Sequence, residues 1–321
     1  MKKNKKFINY LILIFLVILM NFLLPKLLPG NPLSYIVGED IANLTTSQKN
    51  AILSEYKLNE PLYIQFFYYL KNIFTLDFGM SFSKKLPIFD IVKSATLWTL
   101  LLSSLNIIIS TLLGSYLGYK SAMKKREESL KMNMAVSSLS CFPIFWVSMI
   151  LLVIFSVKLN IFPTYGAYSI HEEFNILTRI FDIVSHLVLP LTAMVTTSIT
   201  TFYIQMRVSV LEVLQEDYIF MAKVKSIPNH VIEKKYILKN SILPVFTIFM
   251  LNIGSIFSGS IAVETVFSYP GLGKIMFDAI IARDYPLIQY CFLTISTMVI
   301  FSNYLADKLY KYIEPRVGDE I

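Results

Sequence analysis

Two short stretches and two cysteines of this 321-residue chain offer residue types that could do chemistry. The run "YPGLGKI", Tyr269 to Ile275, offers the glycines and lysine of a loop that cradles phosphates. Such a loop also needs Gly five residues before its second Gly and Ser or Thr after the Lys. Ser268 and Ile275 stand in those places, so no nucleotide site is expected there. "DFG", Asp77 to Gly79, comes without the Gly-rich loop, HRD and APE segments that would give it a role in phosphoryl transfer. Cys141 and Cys291 both lie in apolar segments and read as small core residues, not as a disulfide or metal pair. No nucleophile with a paired base and no metal-ligand spacing is present, so catalysis by this chain is not expected.

The elements that would position any function are set by composition. The chain is 55% hydrophobic and 16% charged, too apolar for a soluble domain of this length. We expect an all-α, polytopic transmembrane helix bundle. About 18 to 20 apolar residues cover the hydrocarbon layer at about 1.5 Å rise each. Six uncharged windows reach that length: Phe7–Leu24, Ala95–Tyr119, Met132–Val157, Leu187–Gln205, Ser241–Val263 and Tyr285–Ala306. The first follows "MKKNKK", a basic start of the kind found in signal peptides, but its run is long and no small-residue cleavage site follows, so a retained span is expected. Residues 1–321 read as a single transmembrane domain, with an outer loop over 30–94, a core over 95–306 and a tail over 307–321.

The formal charge of +7 does not point to nucleic acid, because the Lys and Arg cluster between apolar runs as topology signals do. Eighteen basic residues fall in one alternating set of connections, including the N-terminus, Lys120–Lys131, Arg207–Lys239 and the C-terminal tail. Eleven fall in the opposite set, six of them in the long segment Gly30–Ser94, where the rule loses force. Both termini and the loop 206–244 are therefore expected in the cytoplasm of a multi-pass membrane protein. None of the six windows contains Asp, Glu, Lys, Arg or His. Proton and ion-coupled transporters need such a group at the midplane, so energy for uphill movement is expected to enter elsewhere.

The loop is the most informative segment. From Met206, Leu211, Leu214, Tyr218 and Met221 recur at i+3 and i+4 spacing, an apolar stripe with Glu212, Glu216 and Asp217 off it. Ser226 is a candidate N-cap for a second helix, Pro228 suits its first turn, and Pro244 marks entry into the fifth span. An apolar stripe at the membrane surface needs lipid or protein to cover it. The run "EDYIFMAKVKSIPNHVIEKKYILKNSILP" resembles the EAA loop of binding-protein-dependent ABC importer permeases, in the variant of the dipeptide, oligopeptide and nickel family. "LLPGNPL", "YKLNEPLYIQFFYYL", "DFGMSF", "CFPIFWVSMILLVIFSVKLNIFPTYG", "VETVFSYPGLGKIMFDAIIARDYPLIQ" and "NYLADKLYKYIEPRV" resemble the same family in the expected order.

The resemblance implies that the loop is a coupling helix docking on a separate ATPase, with Asp217, Tyr218, Ala222, Lys225, Ser226, Asn240 and Pro244 as its residues. Ser226 stands where the family has Gly. Gly turns freely to positive φ and Ser does so at a steric cost, so the local turn is open to a different geometry. The resemblance further implies a second, homologous permease, two cytoplasmic ATPases that hold ATP and Mg²⁺, and an extracytoplasmic binding protein. The chain itself would bind no cofactor. Asn252, Gly254, Ser258, Gly259, Glu264, Pro270, Gly271 and Gly273 are the candidate path or outer-gate residues. Small residues read equally as close packing, and Glu264 reads as a structural closure of the outer mouth. "GSYLG", Gly114 to Gly118, gives the small-xxx-small spacing that favours close packing within the chain.

In the outer loop, Asn59 is a candidate N-cap and Pro61 a first-turn residue for a helix bearing Tyr63, Phe66, Phe67, Tyr68 and Tyr69. That cluster suits either the outer membrane interface or packing on the bundle. Peptides are the expected substrate because no Met/His-rich lining or acidic ring marks a metal path. Nickel is the alternative within the family. A stand-alone pore is the alternative from another class, with a membrane-embedded enzyme and a secondary transporter behind it.

Overall fold

A computed structural model describes residues 2–27, 45–49, 57, 59–169, 175–254 and 260–313. Among these the chain is helical, with one isolated antiparallel bridge between Met80 and Pro87. Helices α1 (Lys2–Leu27), α2 (Leu62–Thr75) and α3 (Ile88–Met123) come first. They are followed by α4 (Arg126–Leu139) and α5 (Ile144–Leu151), which runs on through a π-helical stretch, Leu152–Lys158. Next are α6 (Ile176–Leu214) and α7 (Asp217–Val224). Asn229–Val231, the π-helical Ile232–Leu238 and Lys239–Gly254 then form one continuous helix, α8. The chain ends in α9 (Ile261–Val266), α10 (Leu272–Ile281) and α11 (Tyr285–Ile313).

The helical bundle is as expected, and the count of six spans is not confirmed among the described residues. Among the described residues, four helices are long and apolar enough to cross a membrane: Ile88–Met123, Ile176–Leu214, Asn229–Ile253 and Tyr285–Leu309. A fifth forms if α4 and α5, bent by 89° at their junction, count as one broken span. The window Met132–Val157 thus does not run straight. Pro143 supplies no N–H and disfavours a helical residue before it, so one helix ends at Leu139 and the next starts at Ile144. Cys141 sits exposed at this bend and not in the core, whereas Cys291 is buried as expected. The first window forms a shorter apolar stretch, Phe7–Leu23. Of the window Ser241–Val263, the described parts are α8 up to Gly254 and α9 from Ile261.

The chain divides into two compact units. The first comprises Met1–Thr99 and Pro270–Phe301. Its core gathers Phe22, Tyr69, Ile88, Leu272, Leu287, Tyr290 and Cys291, and Phe78 stacks on Tyr290 at 4.0 Å. Asn21 Nδ2 donates to Tyr69 Oη (2.8 Å) and to the Gln289 carbonyl (2.9 Å), while Gln289 Nε2 donates to the Asn21 carbonyl (3.0 Å). These bonds satisfy polar groups that would be costly to bury unpaired. Helix α2 begins after Pro61, which occupies the N-cap position, so Asn59 is not its cap.

The second unit comprises Leu100–Tyr269 and Ser302–Ile321. Within it α3 packs closely against α6. A Cβ on Gly114 would stand 2.7 Å from the Ile199 carbonyl oxygen, and one on Gly118 only 2.4 Å from that of Tyr203. The GxxxG spacing therefore serves contact within the chain, letting two backbones meet where any side chain would separate them. At the same seam Tyr203 Oη donates to Ser121 Oγ at 2.8 Å, and Asn106 Nδ2 donates to Ser198 Oγ at 3.3 Å.

Candidate functional site

The expected coupling residues lie on one structure built from the end of α6, α7 and the start of α8. Helix α6 closes at Leu214, with Gln215 and Glu216 donating back to Glu212 and Val213. The stripe read from Met206 to Met221 is therefore broken between two helices. Asp217 opens α7, where a carboxylate suits the positive end of the helix dipole, and Lys223 lies in its last turn. Because the break resets the register, α7 buries Ile219 and Ala222, not Tyr218 and Met221.

Those two side chains join Phe202, Met206 and Val210 of α6 and Ile232, Ile237 and Val245 of α8 in one apolar core. Burying Ile219 contributes about 1.5 to 3 kcal/mol and the methyl of Ala222 about 0.8 kcal/mol, which seats this helix of eight residues on the bundle. A polar tie adds to it: Asn240 Nδ2 donates to Tyr218 Oη (3.2 Å) and to the Tyr236 carbonyl (2.7 Å).

Ser226 does not cap α8. It holds φ at +52° just past the end of α7. Ser226 N–H donates to the Lys223 carbonyl (2.9 Å) and Ile227 N–H to that of Ala222 (3.2 Å). Together these bonds make a Schellman closure. The left-handed turn that glycine would allow is thus kept with serine, at a steric cost. Ile227 beyond it packs on the same core as Ala222, which is the apolar contact that completes such a closure. Pro228 takes the N-cap position of α8, its carbonyl accepting from Val231 and Ile232. Lys225 is exposed, and Pro244 lies inside α8 and not at its entry.

What remains outside is apolar. Tyr218, Phe220, Met221 and Val224 are exposed, Phe220 by 68% and Val224 by 63%. Lys223, Lys225, Lys234 and Lys235 are exposed alongside them in the sequence. The arrangement presents a firmly held helix with an uncovered apolar side.

The outer-gate candidates do not gather in one described site. Asn252 Nδ2 donates to the Ile248 carbonyl of its own helix (2.9 Å), and Gly254 ends α8. Ser258 and Gly259 lie outside the described residues. Glu264 is fully buried in α9. Its carbonyl accepts from Tyr269 N–H (2.8 Å) across Ser268, whose φ is +46°, a second Schellman closure on serine. Burial, with the nearby Glu264 carboxylate, raises the Tyr269 hydroxyl above its ordinary range. Pro270, Gly271 and Gly273 belong to the first unit and start α10, with Gly271 as N-cap. Leu272 N–H donates to Thr99 Oγ1 there at 2.7 Å. The turn that joins α9 to α10 is centred on Ser268 and Tyr269.

Asp284 was missed in the sequence. It is almost wholly buried. Its Oδ2 accepts from Ser81 Oγ (2.6 Å), Ser83 N–H (2.9 Å) and Ser83 Oγ (2.9 Å), and its Oδ1 accepts from Leu287 N–H (3.2 Å). One carboxylate thus caps α11 and pins the loop before α3. Asp followed by "YPL" is an N-cap signature that could have revealed half of this. Asp182 plays a similar part on α6, accepting from Ser169 N–H (2.6 Å) and Oγ (2.8 Å).

Residues 110–319 match the family model described as "Binding-protein-dependent transport system inner membrane component". The chain is 34% identical over 304 residues to the oligopeptide transport system permease protein AppB of Bacillus subtilis, covering 93% of each chain. It is 30% identical over 318 residues to the dipeptide transport system permease protein DppB of Escherichia coli K12, again covering 93% of each. With the glutathione transport system permease protein GsiC of the same strain it shares 32% over 318 residues, 98% of this chain and 97% of that one.

Proposed function

We propose that this chain, which belongs to the family of binding-protein-dependent transport system inner membrane components, is the permease subunit through which a peptide crosses the membrane. Three similar proteins are named for oligopeptide, dipeptide and glutathione transport, and that common peptide chemistry supports the substrate class over nickel. Hydrolysis of ATP, with its Mg²⁺, belongs in this reading to two separate subunits on the cytoplasmic side. A homologous second permease completes the path, and an extracytoplasmic binding protein delivers the peptide.

The observation that supports the coupling step is the exposed apolar side of α7, held in place by Ile219 and Ala222 beneath it. An exposed patch of this kind favours a protein cover. When the ATPase pair closes, the push on Tyr218, Phe220, Met221 and Val224 passes through the buried core to α6 and α8. Access then switches from one side to the other. Asp217, Lys225, Ser226, Asn240 and Pro244 shape or flank this contact. The buried Glu264 serves in this reading as a structural closure of the outer mouth.

The test is uptake of a labelled dipeptide into liposomes containing the full chain with its partner subunits. Accumulation that requires both ATP and the ATPases supports the reading. ATP-independent flux through this chain alone refutes it and makes the protein a facilitator, or a secondary transporter if a proton gradient drives the uptake.

A further inference from the structure

We propose that α2 is a membrane-embedded anchor, its stripe Tyr63, Phe67, Leu70 and Phe74 in contact with lipid. The helix falls between the shorter apolar stretch Phe7–Leu23 and the membrane-length helix Ile88–Met123, and it is not among the helices long enough to span. Its two sides are unlike. Phe66, Tyr69 and Ile73 pack into the core with Phe22 of α1 and Tyr290 of α11. On the other side, Tyr63, Phe67, Leu70 and Phe74 follow the i, i+4, i+7, i+11 rule of a single helix face. Of these, Tyr63 is 64% exposed, Phe67 68% and Phe74 81%. Three aromatic rings on one uncovered face require a cover.

Lipid is the occupant that the surroundings favour. Phe66 of α2 meets Phe15 of α1 edge-on, with ring centroids 6.4 Å apart. Around Phe15 the surface of α1 is apolar on several sides, with Phe7, Leu11, Ile12 and Leu16 each about half exposed. In a multi-pass membrane protein such a helix faces lipid, and the α2 stripe extends that same surface. The stripe itself holds no charge. Lys71, exposed at its edge, has a stem long enough to lift its ammonium to the headgroups while the rings stay below. Tyr and Phe with a flanking Lys is the composition that settles at a membrane boundary. The inference needs only a multi-pass chain and does not rest on the transport reading.

The test uses the full chain in vesicles of phosphatidylcholine and phosphatidylglycerol. Trp98 and Trp146 are replaced by Phe, and a single reporter is introduced as Phe67→Trp or Phe74→Trp. With brominated phosphatidylcholine, each reporter is expected to lose roughly half of its emission while aqueous iodide leaves it nearly unchanged. Lys85→Trp, on an exposed loop, should behave in the opposite way. Iodide quenching of positions 67 and 74 without lipid quenching would overturn the proposal and place α2 in water. Quenching by neither would also overturn it, since a second copy or another protein would then cover the stripe. Should the Trp-free background not fold, a spin label at Phe74→Cys in Cys141→Ser decides the matter. Collision with oxygen exceeding that with a water-soluble nickel chelate is expected, and the reverse would sink the proposal.

Discussion

The amide of Ile227 donates to the carbonyl of Ala222 at 3.2 Å, and the chain between them turns left-handed at Ser226. Ala222 and Ile227 both pack into the core that seats α7. The closure therefore fixes where α7 ends and where α8 begins, and it does so with a residue that pays a steric cost for positive φ.

Ser226→Gly should relieve that cost. A gain on the order of 1 kcal/mol is expected, read as a rise in unfolding temperature of about 2 to 4 °C for the purified chain. Ser226→Val, β-branched at the same φ, should lower it. An unchanged midpoint in both variants would show that the turn is not strained.

Gly118→Leu should separate α3 from α6. Even a methyl group there would stand 2.4 Å from the Tyr203 carbonyl, and neither backbone has a flexible end to yield. A loss of about 1 to 3 kcal/mol or more is expected, measured as lower folded yield and lower thermal stability. Gly114→Leu should behave alike, because its nearest backbone contact is 2.7 Å. Wild-type stability in both would contradict the close seam.

Asp284→Ala removes the acceptor of Ser81, Ser83 and Leu287 at once. Stranding those donors should cost roughly 2 to 4 kcal/mol, with Asp284→Asn losing less. Amide exchange over residues 81–87 should accelerate first, and unaltered protection of that loop would remove the carboxylate from its assigned role.

Phe220→Glu and Ala222→Leu should fail in different ways. Phe220 is exposed, so Phe220→Glu should leave the unfolding temperature near that of the wild type and abolish co-purification with the ATPase subunits. Ala222 is 4% exposed, and Ala222→Leu should overpack the core beneath α7 by about 1 to 3 kcal/mol. Equal stability losses in the two variants would show that the face of α7 is not free for a partner.

Much of the architecture was legible in residue types. Uncharged windows of membrane-spanning length located α3, α6, α8 and α11, because burial in lipid leaves little choice of composition. The spacing of Gly114 and Gly118 pointed to close packing within the chain, as found. Breaks were harder to read. The turn at Gln215 and Glu216 has neither Gly nor Pro, so the periodic stripe ran through it as though α6 and α7 were one helix. Pro143 did signal the bend between α4 and α5, but a long apolar window hides a kink. Pro190 and Pro244, by contrast, sit inside continuous helices. Long-range polar ties such as Asp284 with Ser81 and Ser83 join residues some 200 positions apart, and no local pattern encodes such a pairing.

The central claim is that α7 receives a push from a separate ATPase. It is tested most directly by placing a photoreactive benzoylphenylalanine at position 220 in the assembled transporter and irradiating inverted membrane vesicles. Covalent capture of the ATPase subunit at position 220, strengthened or weakened by ATP, is the expected result. Efficient peptide transport by the same vesicles with position 220 joined only to lipid, or reached only from the extracytoplasmic side, would contradict it.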